Sequence, residues 1–194
     1  RLTHATLSAA CAQYVETTRG NPPILVEGEE RVLVVLPLFH IYSLTVNLLL
    51  GARLGALLVL HTRFELDTVM NDLKFCGSGG APLPAEVEHR FFALTGCHLN
   101  EGWGMTETSP TGTFTPARGK RKDGSCGMPL PGIRLKFEAL GKPGQLAPQG
   151  EPGEMCIAGP NVMKGDWKNE AATAASMAED GYFRTGDIAT MDAD

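Results

Sequence analysis

The sequence has no apolar run long enough to cross a bilayer. Its longest candidate, Leu44–Leu60, is interrupted by Asn47, Gly51, Arg53 and Gly55, where a spanning helix needs about 20 predominantly apolar residues. That excludes a transmembrane segment in this stretch and leaves peripheral membrane contact open. Positive charge is not in excess either. Seventeen Lys and Arg stand against 22 Asp and Glu, a net charge of −5, which provides no basic footprint for nucleic acid. There is no CxxC pair. The five cysteines (Cys11, Cys76, Cys97, Cys126, Cys156) are odd in number and widely spaced, which argues against a zinc site or a disulfide framework. Free thiols, buried or half-buried, fit a reducing, cytoplasmic compartment better. No internal repeat is found.

What is present is an ordinary globular composition, 43% apolar and 20% charged over 194 residues, enough for a real core. The chain opens at Arg1 inside a helix-start signal and closes on "MDAD". Both ends read as those of a fragment.

Local patterns give the layout. "THATLSAACAQYVETTRG" spaces Leu7, Ala10, Cys11, Tyr14 and Val15 as one face of a helix that Gly20 stops. "RVLVVLPL" and "ALLVLH" are continuous apolar runs, the pattern of strands buried on both faces. "IYSLTVNLLLGARLG" lies between them as a helix, and "FELDTVMNDL" starts another. Alternating strand and helix predict an α/β fold with parallel strands. "PLPAEVEHRFFALTG" is a helix with Pro84 in its first turn, Gly96 beyond its end, and Val87, Phe91 and Leu94 on its inner face. "CHLNEGWG" reads as a strand and then a loop.

From Cys126 the character changes. "GIRLKFEAL", "GEMCIAG" and "GYFRTGDIATMD" are short strands between Gly and Pro, with one helical stretch, "NEAATAASMAE". The expected architecture is therefore an α/β, mostly parallel sheet with flanking helices over residues 1–124, and a small antiparallel β subdomain over 125–194. "GKPGQLAPQGEPG" is a surface loop, and "TPARGKRKDG" a basic exposed loop that serves solubility. One junction is anomalous: Leu73 runs into "KFCGSGG" with no turn residue between. A helix needs a cap and a connection before the next strand, so a segment is expected to be missing between Leu73 and Lys74.

Four stretches carry chemistry. "GSGGAPLP" (77–84) leaves a strand and enters a helix. Its bare backbone could let a flat ligand lie close, at the carboxyl end of a strand where ligands of open α/β sheets bind; the alternative is a tight turn. "EGWGMTET" (101–108) offers an aromatic face at Trp103, a hydroxyl at Thr106 and a carboxylate at Glu107 suited to Mg²⁺; the alternative is a core Trp and a solvated turn. "YFRTGD" (182–187) puts Asp187 after a Gly turn, where a carboxylate can accept both hydroxyls of a ribose; the alternative is a plain turn. "LPLFHIY" (36–42) ends a strand at His40, a catalyst or a structural histidine.

In this order the pieces resemble the adenylate-forming superfamily, in particular the large N-terminal domain of acyl-CoA synthetases such as fatty-acid–CoA and 4-coumarate–CoA ligases. The motifs are "LPLFHIYSLTVN", "GSGGAPLP", "EGWGMTE", "GEMCIAGPNVMKGDW" and "GYFRTGD", and the likeness covers nearly the whole chain. It implies that Gly79, Gly80, Ala81 and Pro82 line an adenine slot and that Trp103, where the family usually has Tyr, stacks on the purine. It implies that Thr106 touches the α-phosphate, Glu107 holds Mg²⁺ and Asp187 holds the ribose diol. His40, Tyr42, Gly102, Met105 and Pro110 would lie near the acyl pocket, with His40 gating it. On this reading the 100–112 run is polar because it meets a nucleotide, and glycine-rich because it must meet it closely.

The resemblance also implies departures. The family's phosphate loop would lie upstream of Arg1, and its small C-terminal domain with the catalytic Lys would follow Asp194. A strand and a helix are expected between Leu73 and Lys74. The implied reaction uses ATP, Mg²⁺ and CoA to activate a small-molecule carboxylic acid, of medium or long chain, through acyl-AMP. Two rivals remain: an adenylating enzyme loading a carrier-protein thiol, and a non-catalytic nucleotide-binding remnant. The isolated fragment is expected to be inactive.

Overall fold

The computed structural model describes residues 1–20, 22–60, 73–116 and 118–193. The first helix, α1 (His4–Thr17), begins on a reciprocal cap. The Thr6 amide donates to Thr3 Oγ1 at 3.2 Å and the Thr3 amide to Thr6 Oγ1 at 3.0 Å, satisfying donors that a helix start leaves orphaned. The inner face of α1 carries the expected Ala10, Cys11 and Tyr14, joined by two polar residues, Thr6 and Gln13. The Gln13 side-chain amide donates to the Pro131 carbonyl at 2.8 Å, pairing its nitrogen, while its buried Oε1 has no partner among the described residues.

Strand β1 (Arg31–Val34) pairs in parallel with β2 (Leu57–Leu60), from Arg31 opposite Leu57 to Val34 opposite Leu60. Between them lies a helix with π-type turns over Ser43–Leu49 and an α-helical end, α2 (Leu50–Arg53). It lies directly on β2: a methyl on Gly51 would stand 2.7 Å from Leu58 Cδ2. The expectation that both strands are buried on both faces is corrected. Leu57 is 58% and Leu60 65% exposed, and β1 stops at Val34, leaving Leu36 and Phe39 exposed. The apolar run was right for a strand, but among the described residues β1 and β2 pair only with each other and one helix covers them. The helix expected over "FELDTVMNDL" lies outside the described residues except for Leu73, which is not helical.

The second sheet has the order β3-β4-β5-β6. Strand β3 (Cys76–Ser78) runs parallel to β4 (Leu99–Trp103), whereas β5 (Thr113–Phe114) and β6 (Met128–Pro129) are antiparallel, so this central sheet is mixed. Between β3 and β4, α3 (Ala85–Thr95) starts after Pro84 and ends on Gly96, which takes the left-handed conformation (φ +69°) that glycine adopts at little cost. Its expected inner face is corrected: Val87 and Leu94 are about half exposed, and no residue of α3 is fully buried. In the basic stretch after Pro116, residues 118–120 and 122–124 are exposed, as expected. Arg121 donates to Asn100 Oδ1 at 2.7 Å and to the Leu99 carbonyl at 2.6 Å, tying the loop to β4.

The third sheet is the antiparallel meander expected from the sequence: β7 (Arg134–Ala139), β8 (Gly153–Ala158) and β9 (Phe183–Ala189), with α4 (Glu170–Ser176) capped by Asn169 before β9. One cluster joins α1, α2 and the second and third sheets. Cys11 and Tyr14 of α1, Leu50, Phe114, Ile157 and Phe183 pack together, each large apolar side chain contributing about 2 kcal/mol by leaving water. All five cysteines are free, three buried and two half-buried, as anticipated. Among the described residues no helix is long and apolar enough to cross a membrane.

Candidate functional site

The parallel β3–β4 pair fixes the site's frame. Ser78, the last residue of β3, lies opposite Glu101 of β4, so "GGAP" (79–82) leaves β3 beside Gly102 and Trp103, the last residues of β4, at the carboxyl ends of the two strands. Gly79 is close enough to β4 that a methyl there would lie 3.3 Å from the Gly102 carbonyl oxygen. Gly80 has φ +87° and open space around it, so its requirement is conformational. Residues 79–82 are exposed. Glu101 anchors their far end, its Oε1 accepting the Leu83 amide at 3.3 Å.

Trp103 is half-buried. The benzene edge of its indole rests on bare Gly112, where a methyl would stand 2.6 Å from Cζ3. Its Nε1–H donates to Asp187 Oδ2 at 2.7 Å, joining β4 to β9 across 84 residues of sequence. A bulge aims Asp187 there. Glu154 faces Ile188 and Cys156 faces Arg184, so Met155 alone opposes Thr185, Gly186 and Asp187. Bulges redirect side chains in this way. Gly186 takes φ +76° within it, Thr185 Oγ1 donates to the Met155 carbonyl at 2.7 Å, and the same oxygen accepts the Asp187 amide at 3.0 Å.

Beyond Trp103 the chain makes a tight 3₁₀ turn, Thr106–Thr108. Thr108 closes it, accepting the Met105 amide at 3.0 Å and donating to the Met105 carbonyl at 2.9 Å. Thr106 is exposed and Glu107 half-buried. Among the described residues no side chain pairs with the Glu107 carboxylate. Pro110 is buried, and its carbonyl presses on Gly104. The glycines of this run thus have an internal reason: a methyl on Gly102 would meet the Phe114 ring at 2.6 Å. Packing against Phe114 and Pro110 requires bare backbone at Gly102 and Gly104 whether or not a ligand lies there, whereas no neighbour fills the space at Gly80.

Asn161 was missed in the sequence. It is fully buried, and its amide donates to the Thr108 carbonyl at 2.6 Å and to the Thr111 carbonyl at 2.7 Å. One residue pair further on, the Met163 amide donates to the Glu107 carbonyl at 2.7 Å. The "GPNVMKG" loop therefore holds the turn that presents Thr106 and Glu107. No local signal points to this, because the partners lie 50 and 53 residues away.

His40 is exposed at the start of the helix that carries Tyr42, and its Nδ1 accepts the Tyr42 amide at 3.2 Å. The Tyr42 hydroxyl turns inward onto β3, where a methyl on Gly77 would stand 2.6 Å away. Burial and the neighbouring Cys76 thiol push that phenol up to about 12. Burial and the Cys97 thiol raise Cys76 in turn, and burial raises Cys11 and Cys156; these thiols stay protonated at neutral pH and make poor nucleophiles. A cleft of about 320 Å³ opens beside Lys74, Phe75, Cys97, His98 and Arg118. It lies at the amino ends of β3 and β4, away from the motif-bearing ends.

The carboxyl ends of parallel strands are where open α/β sheets bind their ligands. The family model for AMP-binding enzymes matches residues 67–167, and the chain belongs to that family. It is 34% identical over 224 aligned positions to a long-chain-fatty-acid–CoA ligase of Escherichia coli, covering 98% of this chain and 39% of that protein. It is 32% identical over 230 positions to 4-coumarate-CoA ligase 2 of Narcissus pseudonarcissus, covering 100% and 40%. Among solved structures it is similar to apo MatB from Rhodopseudomonas palustris (TM-score 0.88, 25% identity, 99% of this chain and 43% of that one). It is also similar to the O-succinylbenzoate Coenzyme A synthetase of Bacillus subtilis in complex with ATP and magnesium ion (TM-score 0.81, 26% identity, 99% and 44%). The chain thus spans about two fifths of the length of the curated relatives it matches.

Proposed function

We propose that the protein represented by this chain activates a carboxylic acid with ATP and transfers the acyl group to CoA. The carboxylate oxygen attacks the α-phosphorus, forming acyl-AMP and expelling pyrophosphate; the CoA sulfur then attacks the acyl carbonyl, and AMP leaves. The observation that carries this reading is the convergence of residues 79–82, Trp103 and the bulge-borne Asp187 at one sheet edge. In it, residues 79–82 and Trp103 take the adenine and Asp187 the ribose hydroxyls. Thr106 donates to the α-phosphate. Donors fixed before reaction stabilise charge developing on such oxygens without reorganising. Met105, Pro110, Gly102, Tyr42 and the gate His40 are assigned to the acyl side.

A lone, half-buried carboxylate at Glu107 suits Mg²⁺, which takes one or two protein carboxylates and completes its shell with phosphate oxygens and water. Mg²⁺ bound there would neutralise phosphate charge. No protein nucleophile is required, in keeping with the protonated thiols. Relatives named for long-chain fatty acids favour a medium or long acyl chain, and free thiols favour the cytoplasm.

We also propose that a segment is absent between Leu73 and Lys74. The 230-position alignment to the Narcissus 4-coumarate-CoA ligase 2 spans all 194 residues, so 36 positions face gaps in this chain. Sequencing the transcript across that junction tests it, a natural message in which the Leu73 codon is followed directly by the Lys74 codon being the contrary result.

The functional test is carboxylate-dependent pyrophosphate release by the full-length protein. Glu107→Ala is expected to lower the rate of adenylation about 100-fold, with ATP affinity changed far less. Unchanged pyrophosphate release would refute the role given to Glu107.

A further inference from the structure

The carboxylate of Asp187 is exposed, on a side chain with rotational freedom of its own. Its one side-chain partner among the described residues is the indole N–H of Trp103, at 2.7 Å, within the short range of hydrogen bonds to charged acceptors. That bond engages Oδ2 and leaves Oδ1 to accept. The indole is itself fixed. Its benzene edge lies on Gly112, whose missing methyl would also meet Ile157 Cδ1 at 2.8 Å, and Ile157 is fully buried. The Gly112 amide donates to the Trp103 carbonyl at 2.9 Å. A continuous line of packing thus runs from the core to the ring, and the ring's donor meets the carboxylate. The geometry depends on the residue type. An indole carries its N–H on the flank of the ring, whereas a phenol carries its donor at the far tip and a phenyl has none.

Resting on the nucleotide reading given above, we propose that Trp103 is the positioning residue for sugar recognition. Its indole N–H holds Asp187 so that the free carboxylate oxygen meets the ribose hydroxyls. Discrimination between ribo- and deoxyribonucleotides then belongs to the pair and not to Asp187 alone. Stacking on the base is a separate contribution that any aromatic ring retains.

Binding of ATP, 2′-deoxy-ATP and 3′-deoxy-ATP to the full-length protein and to Trp103→Phe separates the two. The wild-type protein is expected to favour ATP over each deoxy form by roughly tenfold or more, the range for a hydrogen bond to a charged group. In Trp103→Phe the preference should fall below about threefold, while affinity for the deoxy forms stays within about twofold of wild type. Preference for ATP retained in Trp103→Phe would overturn the proposal alone. Failure of the wild-type protein to bind ATP would overturn the nucleotide reading and this proposal with it.

A second measurement needs no nucleotide and no substitution in the sheet interior. The chain has two tryptophans, Trp103 and Trp167. Asp187→Ala is expected to move the indole N–H resonance of Trp103 upfield and leave that of Trp167 in place. An unmoved Trp103 resonance means the bond is not formed in solution, and the proposal falls.

Discussion

Asn161 shows what a single buried amide can do for a site it does not touch. Both of its N–H bonds are spent on carbonyls of the 108–111 turn, and it lies at zero exposure. Removing a donor from such a place leaves two carbonyls dry and unpaired, which costs about 2–3 kcal/mol. Asn161→Asp keeps the shape and sets a carboxylate oxygen against a carbonyl. It is therefore expected to lower the unfolding free energy by that amount, which shifts the urea midpoint downward in proportion, and to slow adenylation more than it weakens ATP binding. A midpoint equal to wild type would show that the turn is held otherwise. The side chains of the motifs themselves were legible in the sequence, because glycine, an aromatic and small polar residues punctuate the chain locally. The residue that supports them was not, since its role is created only when distant segments meet.

At the scale of elements, the β7–β8–β9 meander is pinned by one carboxylate. Glu138 on β7 is buried, with Lys136 Nζ at 2.7 Å and the Arg184 guanidinium of β9 at 3.3 Å. It also accepts the Gly144 amide at 3.0 Å. The hydrogen bond from Lys136, with that of Gly144, holds its carboxyl below the usual glutamate range. A depressed carboxylate stabilises the fold fully above its unfolded pKa, here near 4.5, and loses that contribution as pH falls through the lower folded value. Glu138→Gln is therefore expected to be less stable at pH 7 and to flatten the acid limb of the stability curve below pH 4.5. A variant with the wild-type acid limb would contradict this. Because the bulge in β9 presents Asp187, loosening this sheet also reaches the site. Element types were readable from periodicity, as α1 and the meander attest. Extents and burial were not. Continuous apolar runs made β1 and β2 look like central strands, and a helical stripe on α3 looked like an inner face. What covers an apolar surface is a property of the neighbours, not of the run.

For the whole molecule, a single core spans the α/β part and the antiparallel part. Tyr14 makes this concrete: its ring meets Phe114 edge-on at 5.8 Å, and its hydroxyl bonds Thr111 at 2.5 Å. The same core sets β4 and β9 beside each other, so that the Trp103–Asp187 contact is a consequence of global packing. The order of the motifs along the chain was readable from the start; α/β topology accounts for residues 79–82 and Trp103 lying together at the ends of parallel strands, whereas Asp187 arrives there from the antiparallel sheet. The 320 Å³ cleft at the other edge is the natural competitor for any ligand. Mapping AMP binding on the full-length protein by amide and indole chemical shifts decides between them most directly. The account predicts perturbations centred on Gly79, Gly80, Ala81, Trp103, Thr106 and Asp187. Perturbations centred instead on Lys74, His98 and Arg118, or none at saturating AMP, would contradict it.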